Sequence, residues 1–183
     1  MKFIKIVLLA IIIILVAVPI ADAVTDKQRD KVFKEVTTLC NIYRKSCTIE
    51  IVDNKYLIAR TQAFGKIIVS TGMIKAMNED QFRSVLFHEV GHRVLEHVEK
   101  TSQYLYFCQH NKNCDSNYIT EMRRRNEYEA DKFSVLVLKF TRHKEALSDA
   151  LLIITPAEDV YKTFPTHPST ADRIRQIDRI MGR

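Results

Sequence analysis

Residues 88–92 read His-Glu-Val-Gly-His, an H-E-x-x-H pattern. On an α-helix, side chains four apart lie on one face, one turn above the other. His88 and His92 can therefore offer two imidazole nitrogens to a single Zn²⁺, with Glu89 beside them as general base toward a water that the ion activates. Catalytic zinc needs three protein ligands and an open fourth position, so a third ligand must arrive from another element. The stretch Asn126-Glu127-Tyr128-Glu129-Ala130-Asp131 lies about one helix further on. Glu127 and Asp131 are again four apart: the first can bind metal, and the second can accept the free ring N–H of a ligating histidine and fix its tautomer. Glu129 competes with Glu127. It points to another side of the helix and would leave Asp131 facing elsewhere, so the spacing favours Glu127. Glu89 would take a proton from the attacking water and return it to the departing amine. Gly91, at a propensity cost of about 1 kcal/mol relative to alanine, suits a helix that packs closely on a neighbour.

The elements that must carry these groups can be read from periodicity. Residues 24–43 show apolar positions at helical spacing (Val32, Phe33, Val36, Leu39), with Thr25 as a cap. Three strand-like runs follow, at residues 47–52, 56–61 and 66–70, and suggest a small antiparallel sheet. Asn78 caps the active helix, whose apolar set (Phe82, Val85, Leu86, Val94, Leu95, Val98) extends it to about Lys100. Asp115 and Ser116 can cap the next helix, running to about residue 142. Residues 143–154 form a further helix that Pro156 ends. Ser169 caps a last amphipathic helix carrying Ile174, Ile177 and Ile180. The fold class is therefore α+β, in one domain spanning residues 24–183. Tyr128 reads as packing. His97, His110 and His143 have no partners at ligand spacing and read as surface residues.

Composition bounds the remaining possibilities. The chain has 183 residues, 46% hydrophobic and 27% charged, with only four Gly and four Pro, which is ordinary for a globular domain. The net charge is +6, but apart from Arg123-Arg124-Arg125 the basic residues are dispersed and not interleaved with aromatics, which excludes a dedicated nucleic-acid surface. Peripheral attraction to an anionic membrane is compatible with that charge. Residues 1–23 have the form of a secretory signal peptide: Lys2 and Lys5, an apolar run over 6–20, and Ala21-Asp22-Ala23 as cleavage site. The alternative is an uncleaved anchor, for which the run is shorter than the roughly 20 residues of a spanning helix. Cleavage would give an exported, periplasmic or secreted chain. Cys40, Cys47, Cys108 and Cys114 are an even set, as expected of two disulfides in such a chain. Of the three connectivities, the local pairing Cys40–Cys47 and Cys108–Cys114 closes short loops between elements. The spacings do not suit a four-cysteine zinc site.

These residues also carry a resemblance. H-E-V-G-H, N-E-Y-E-A-D and the late T-H-P-S-T-A-D-R-I resemble the HtpX and CAAX-prenyl-protease family of zinc metallopeptidases, which includes Oma-type, BepA-like and LoiP-like enzymes. Residues 62–72 look like its strand-and-turn segment, with Gln62 where Asn is more usual. The resemblance covers roughly residues 56–178. It implies a gluzincin-like metallopeptidase domain with His88, His92 and Glu127 as metal ligands, Glu89 as base, and protein or peptide substrates bound in extended form. Strand Lys66–Ser70 looks like the edge on which a substrate backbone would pair. His167, between Pro165 and Pro168, matches the family's H-P motif. It could donate to the oxyanion of a tetrahedral intermediate or swing in as a fourth ligand that holds a latent state. Arg173 could support that loop or the oxyanion. Export joined to the resemblance suggests envelope-protein quality control. The competing function is a metal-stabilised, chaperone-like module that binds extended chains without cleaving them; the presence of Glu89 speaks against it.

Overall fold

The computed structural model describes residues 23–183 except 112, 113, 140, 142 and 144. The expected signal peptide lies, but for its last residue, outside the described residues. The described residues form seven α-helices and one three-stranded sheet, an α+β arrangement as expected.

Helix α3 (Glu79–Val94) is the centre of the molecule. Its start is fixed by a capping box: the Asn78 side chain accepts from the Asp80 and Gln81 backbone, and the Gln81 side chain accepts from the Asn78 N–H. Every residue from Gln81 to Gly91 is buried. A helix buried on all sides needs no apolar stripe, and its polar members are matched instead. Arg83 donates to Glu35, Asp80 and Glu79, and Ser84 O accepts from Ser134 Oγ at 2.8 Å. Around α3 pack α1 (Asp26–Ile42), α5 (Ser116–Leu138), α6 (Ala146–Ile154) and the sheet. The shared core is built from Val32, Val36, Ile67, Val69, Phe82, Leu86 and Val90. A smaller cluster of Val135, Leu147, Leu151 and Ile177 joins α5 and α6 to α7 (Thr170–Met181).

The sheet corrects two expectations. Its order is β1-β3-β2, with β1 (Thr48–Val52) parallel to β3 (Lys66–Ser70), and β2 (Ala59–Thr61) antiparallel to it. The sheet is therefore mixed, not antiparallel. Strand β3 is central, so it has no free edge to offer; the free edges of the sheet are those of β1 and β2. The uninterrupted apolar run Ile67-Ile68-Val69 is the mark of a strand covered on both faces, and all three residues are buried. The turn into β3 passes through Phe64 (φ 62) and Gly65 (φ 84). A Cβ on Gly65 would fall 2.0 Å from the Ser46 carbonyl oxygen.

The active helix also ends earlier than its apolar pattern predicts. Leu95 caps α3, Glu96 takes a left-handed conformation (φ 59), and a separate helix α4 (His97–His110) begins. Neither Gly nor Pro marks this break. A short helix α2 (Thr71–Ala76) leads from β3 toward α3. Both disulfides have the expected local pairing: Cys40–Cys47 ties the end of α1 to β1, and Cys108–Cys114 closes the α4–α5 turn. No helix among the described residues is long and apolar enough to cross a membrane.

Candidate metal centre

Two helices bring the candidate ligands together. His88 and His92 extend from α3 with their Nε2 atoms 3.1 Å apart. Glu127, from the middle of α5, sets one carboxylate oxygen 3.6 Å from His88 Nε2 and the other 3.5 Å from His92 Nε2. Tetrahedral zinc with N and O ligands at roughly 2.0–2.1 Å holds its donor atoms about 3.3 Å apart. The three spacings bracket that value, and the two ring nitrogens face each other as co-ligands do. The donor set His-His-Glu thus fits a divalent ion. Glu127 reaches this position because α3 and α5 approach closely at Gly91. A Cβ there would lie 3.0 Å from Ala130 Cα and 3.2 Å from Ala130 O.

The surroundings set the protonation of each group. Asp131 is fully buried. Its Oδ1 lies 2.9 Å from His88 Nδ1, although off the line of a linear ring N–H bond. Arg173, from α7, donates Nε and Nη2 to the two Asp131 oxygens at 2.8 and 2.6 Å, and its Nη1 lies 3.3 Å from Glu127 Oε2. Burial alone would raise the Asp131 pKa, but the Arg173 guanidinium holds it well below the usual carboxylate range. Arg173 is likewise opposed by burial yet held protonated by Asp131. Burial disfavours protonated His88, but Asp131 outweighs it and lifts the ring above the usual histidine value. His92 is depressed by burial and then by its histidine neighbours. Burial raises the Glu89 carboxyl, whose Oε2 accepts from Thr61 Oγ1 at 2.8 Å. The same hydroxyl lies 2.8 Å from the Glu89 carbonyl oxygen.

Some residues stand where the sequence put them, and others do not. Glu127 rather than Glu129 faces His88 and His92. His167 is at the mouth of the site, 53% exposed, with Nε2 3.6 Å from Glu127 Oε1. Arg173 reaches the α5 carboxylates; the loop before α7 is instead met by Arg124, whose Nη2 lies 3.4 Å from Phe164 O. His97 is no surface residue: it is 3% exposed and bonded to both His92 and Glu129. His143 is half-buried and lies 2.5 Å from Asp80. Thr61 was missed, since nothing in a three-residue strand announces which hydroxyl will meet a helix 28 residues later.

A cleft of about 350 Å³ runs from β2 (Ala59, Arg60, Thr61) past the His-His-Glu cluster to His167 and α6. The backbone bonds of β2 to its neighbour alternate. Gln62 N–H donates to Lys66 O, and Ser70 N–H donates to Ile58 O, so the even-numbered residues face β3, and the peptide groups of Ala59 and Thr61 turn to the open side. A larger groove, about 1170 Å³, lies along α1 beside Lys31 and Phe87 and contains none of these groups.

A histidine pair on one helix and a carboxylate from a facing helix thus form a group that could hold a metal ion, with a second carboxylate beside them and an open strand alongside. Over residues 23–181 the chain matches the model for peptidase family M48, and it belongs to that family. No curated protein matches it.

Proposed function

We propose that the protein is a zinc-dependent endopeptidase that hydrolyses peptide bonds in unfolded or extended protein chains. The observation that carries this reading is the convergence of His88 Nε2, His92 Nε2 and the Glu127 carboxylate within 3.6 Å, in a cleft bounded by a free strand edge. His88, His92 and Glu127 would hold the zinc. When bound, the ion supplies a Lewis acid that polarises a carbonyl and acidifies water toward neutral pH.

The remaining work falls to side chains and backbone. The outward peptide groups of Ala59 and Thr61 pair with an extended substrate and lay its backbone across the cleft. Such pairing demands little of substrate sequence. Glu89, desolvated and steadied by Thr61, accepts the proton of the attacking water and delivers it to the leaving amine. The His167 ring, at the mouth, donates to the developing oxyanion; turned inward onto the ligands, it would close the site. Asp131 and Arg173 hold His88 and Glu127 in place. The two disulfides suit an oxidising compartment, and envelope-protein quality control is the role we assign. A module that only bound extended chains would have no use for a desolvated carboxylate between the histidines.

The test is cleavage of unfolded casein by the zinc-loaded protein and by its Glu89→Gln variant. We expect the variant to bind zinc but to lose at least about 100-fold in kcat, the scale of a lost general base. Equal cleavage by the two overturns the proposal.

A further inference from the structure

The two candidate histidine ligands are backed in different ways. Behind His88 stands a carboxylate, Asp131. The Nδ1 of His92 instead faces the Nδ1 of His97 at 3.0 Å, and His97 Nε2 lies 3.1 Å from Glu129 Oε2. We propose that His97 and Glu129 are positioning residues for the metal centre, forming a relay His92–His97–Glu129 that fixes the His92 proton on Nδ1 and leaves Nε2 free to ligate. This inference rests on the reading of His88, His92 and Glu127 as ligands.

Proton positions allow one arrangement. An imidazole that ligates through Nε2 carries its hydrogen on Nδ1. The atom 3.0 Å away must therefore accept, so His97 Nδ1 is bare. A neutral His97 then carries its hydrogen on Nε2, where it meets the Glu129 carboxylate. The opposite tautomer would set two N–H groups against each other and leave the carboxylate facing a lone pair. Glu129 is in turn flanked by Arg125, whose Nε lies 3.8 Å from its Oε1.

The backbone makes the contact available. In an unbroken helix, a residue five beyond His92 would point about 140° away from it. The left-handed Glu96 (φ 59) ends that geometry. It turns the first residue of α4 back, so that the His97 ring stands edge-on to His92 with centroids 5.0 Å apart. All three acidic residues of Glu127-Tyr128-Glu129-Ala130-Asp131 then have distinct tasks: one binds metal, one backs His88, and one backs His92 through His97. Partners of this kind orient a ligand and raise its basicity, and their loss costs about 10- to 100-fold in metal affinity.

The experiment measures metal binding rather than catalysis. The metal-free protein and its His97→Phe, His97→Gln, Glu129→Ala and combined His97→Phe/Glu129→Ala variants are titrated with Zn²⁺ and Co²⁺ against a chromophoric chelator. His97→Phe is expected to bind about 10- to 100-fold more weakly. His97→Gln, whose amide can accept from His92 and donate to Glu129, is expected to recover most of that loss. Glu129→Ala is expected to weaken binding in the native background and to add nothing when His97 is already Phe. Nitrogen-15 spectra of the zinc-loaded protein are expected to place the His97 hydrogen on Nε2. Unchanged affinity in the single variants, additive losses in the combined variant, or a His97 hydrogen on Nδ1 overturns the relay. Should His97→Phe fail to fold, Glu129→Ala at its half-exposed position, His97→Gln and the tautomer measurement decide the matter. Failure of the wild-type chain to take up one ion would overturn the ligand reading and the relay together; wild-type uptake with unaffected variants overturns the relay alone.

Discussion

Asp131 is the residue on which most of the site's charge balance turns, because it is buried and bridges His88 and Arg173. Replacing it by Asn leaves the Arg173 guanidinium without its main partner inside the protein. That is expected to destabilise the metal-free chain by about 3–5 kcal/mol at neutral pH, the scale of a broken buried pair. The sign of the pH dependence follows from the depressed pKa. Asp131 contributes stability that is present above its unfolded value, near 4, and is lost as pH falls toward the folded one. In urea melts, the gap between wild type and Asp131→Asn is expected to narrow below about pH 4. At this scale the sequence revealed groups related by helical spacing: His88 with His92, and Glu127 with Asp131. It hid Thr61 and His97, whose roles depend on a strand register and a helix break. Ligand spacing gives His97 no partner, because its contact with His92 depends on the helix break at Glu96.

At the scale of elements, the decisive contact is the crossing of α3 and α5 at Gly91. Gly91→Ala improves helix propensity by up to about 1 kcal/mol, yet places a methyl group 3.0 Å from Ala130 Cα. Separation of the helices would carry Glu127 away from the histidines. We expect thermal stability to change little while zinc affinity falls, as a chelator titration would show. The β2 edge is tested by Ala59→Pro, which removes a donor on the open side and leaves the pairing to β3 intact. Loss of one substrate hydrogen bond is expected to lower kcat/KM on casein by about threefold to tenfold with zinc affinity unchanged. Helix starts were legible because caps are chemical: Thr25, Asn78, Asp115 and Ser169 all cap as their types suggest. Strand order was not. Apolar alternation is silent about direction, and consecutive strands usually pair in sequence, whereas here β3 inserts between β1 and β2.

For the whole molecule, one disulfide ties the end of α1 to β1 and the other closes the α4–α5 turn. Cys40–Cys47 spans a sequence separation of 7, and such a loop contributes about 2 kcal/mol by restricting the unfolded chain. Paired Cys40→Ser and Cys47→Ser substitutions are expected to lower unfolding free energy by that amount in urea while leaving zinc affinity unchanged. The family match spans residues 23–181 and so takes in every element from α1 to α7.

The burial of α3 from Gln81 to Gly91 has a consequence for motion. Amides in the middle of a helix enclosed on every side exchange with solvent only when the surrounding structure opens. His88 and Glu89 therefore share their fate with the most protected part of the chain. Strand β2, three residues long and paired on one side, belongs to the opposite end of that range. The chain joins a slow, enclosed helix to a quick and yielding strand margin.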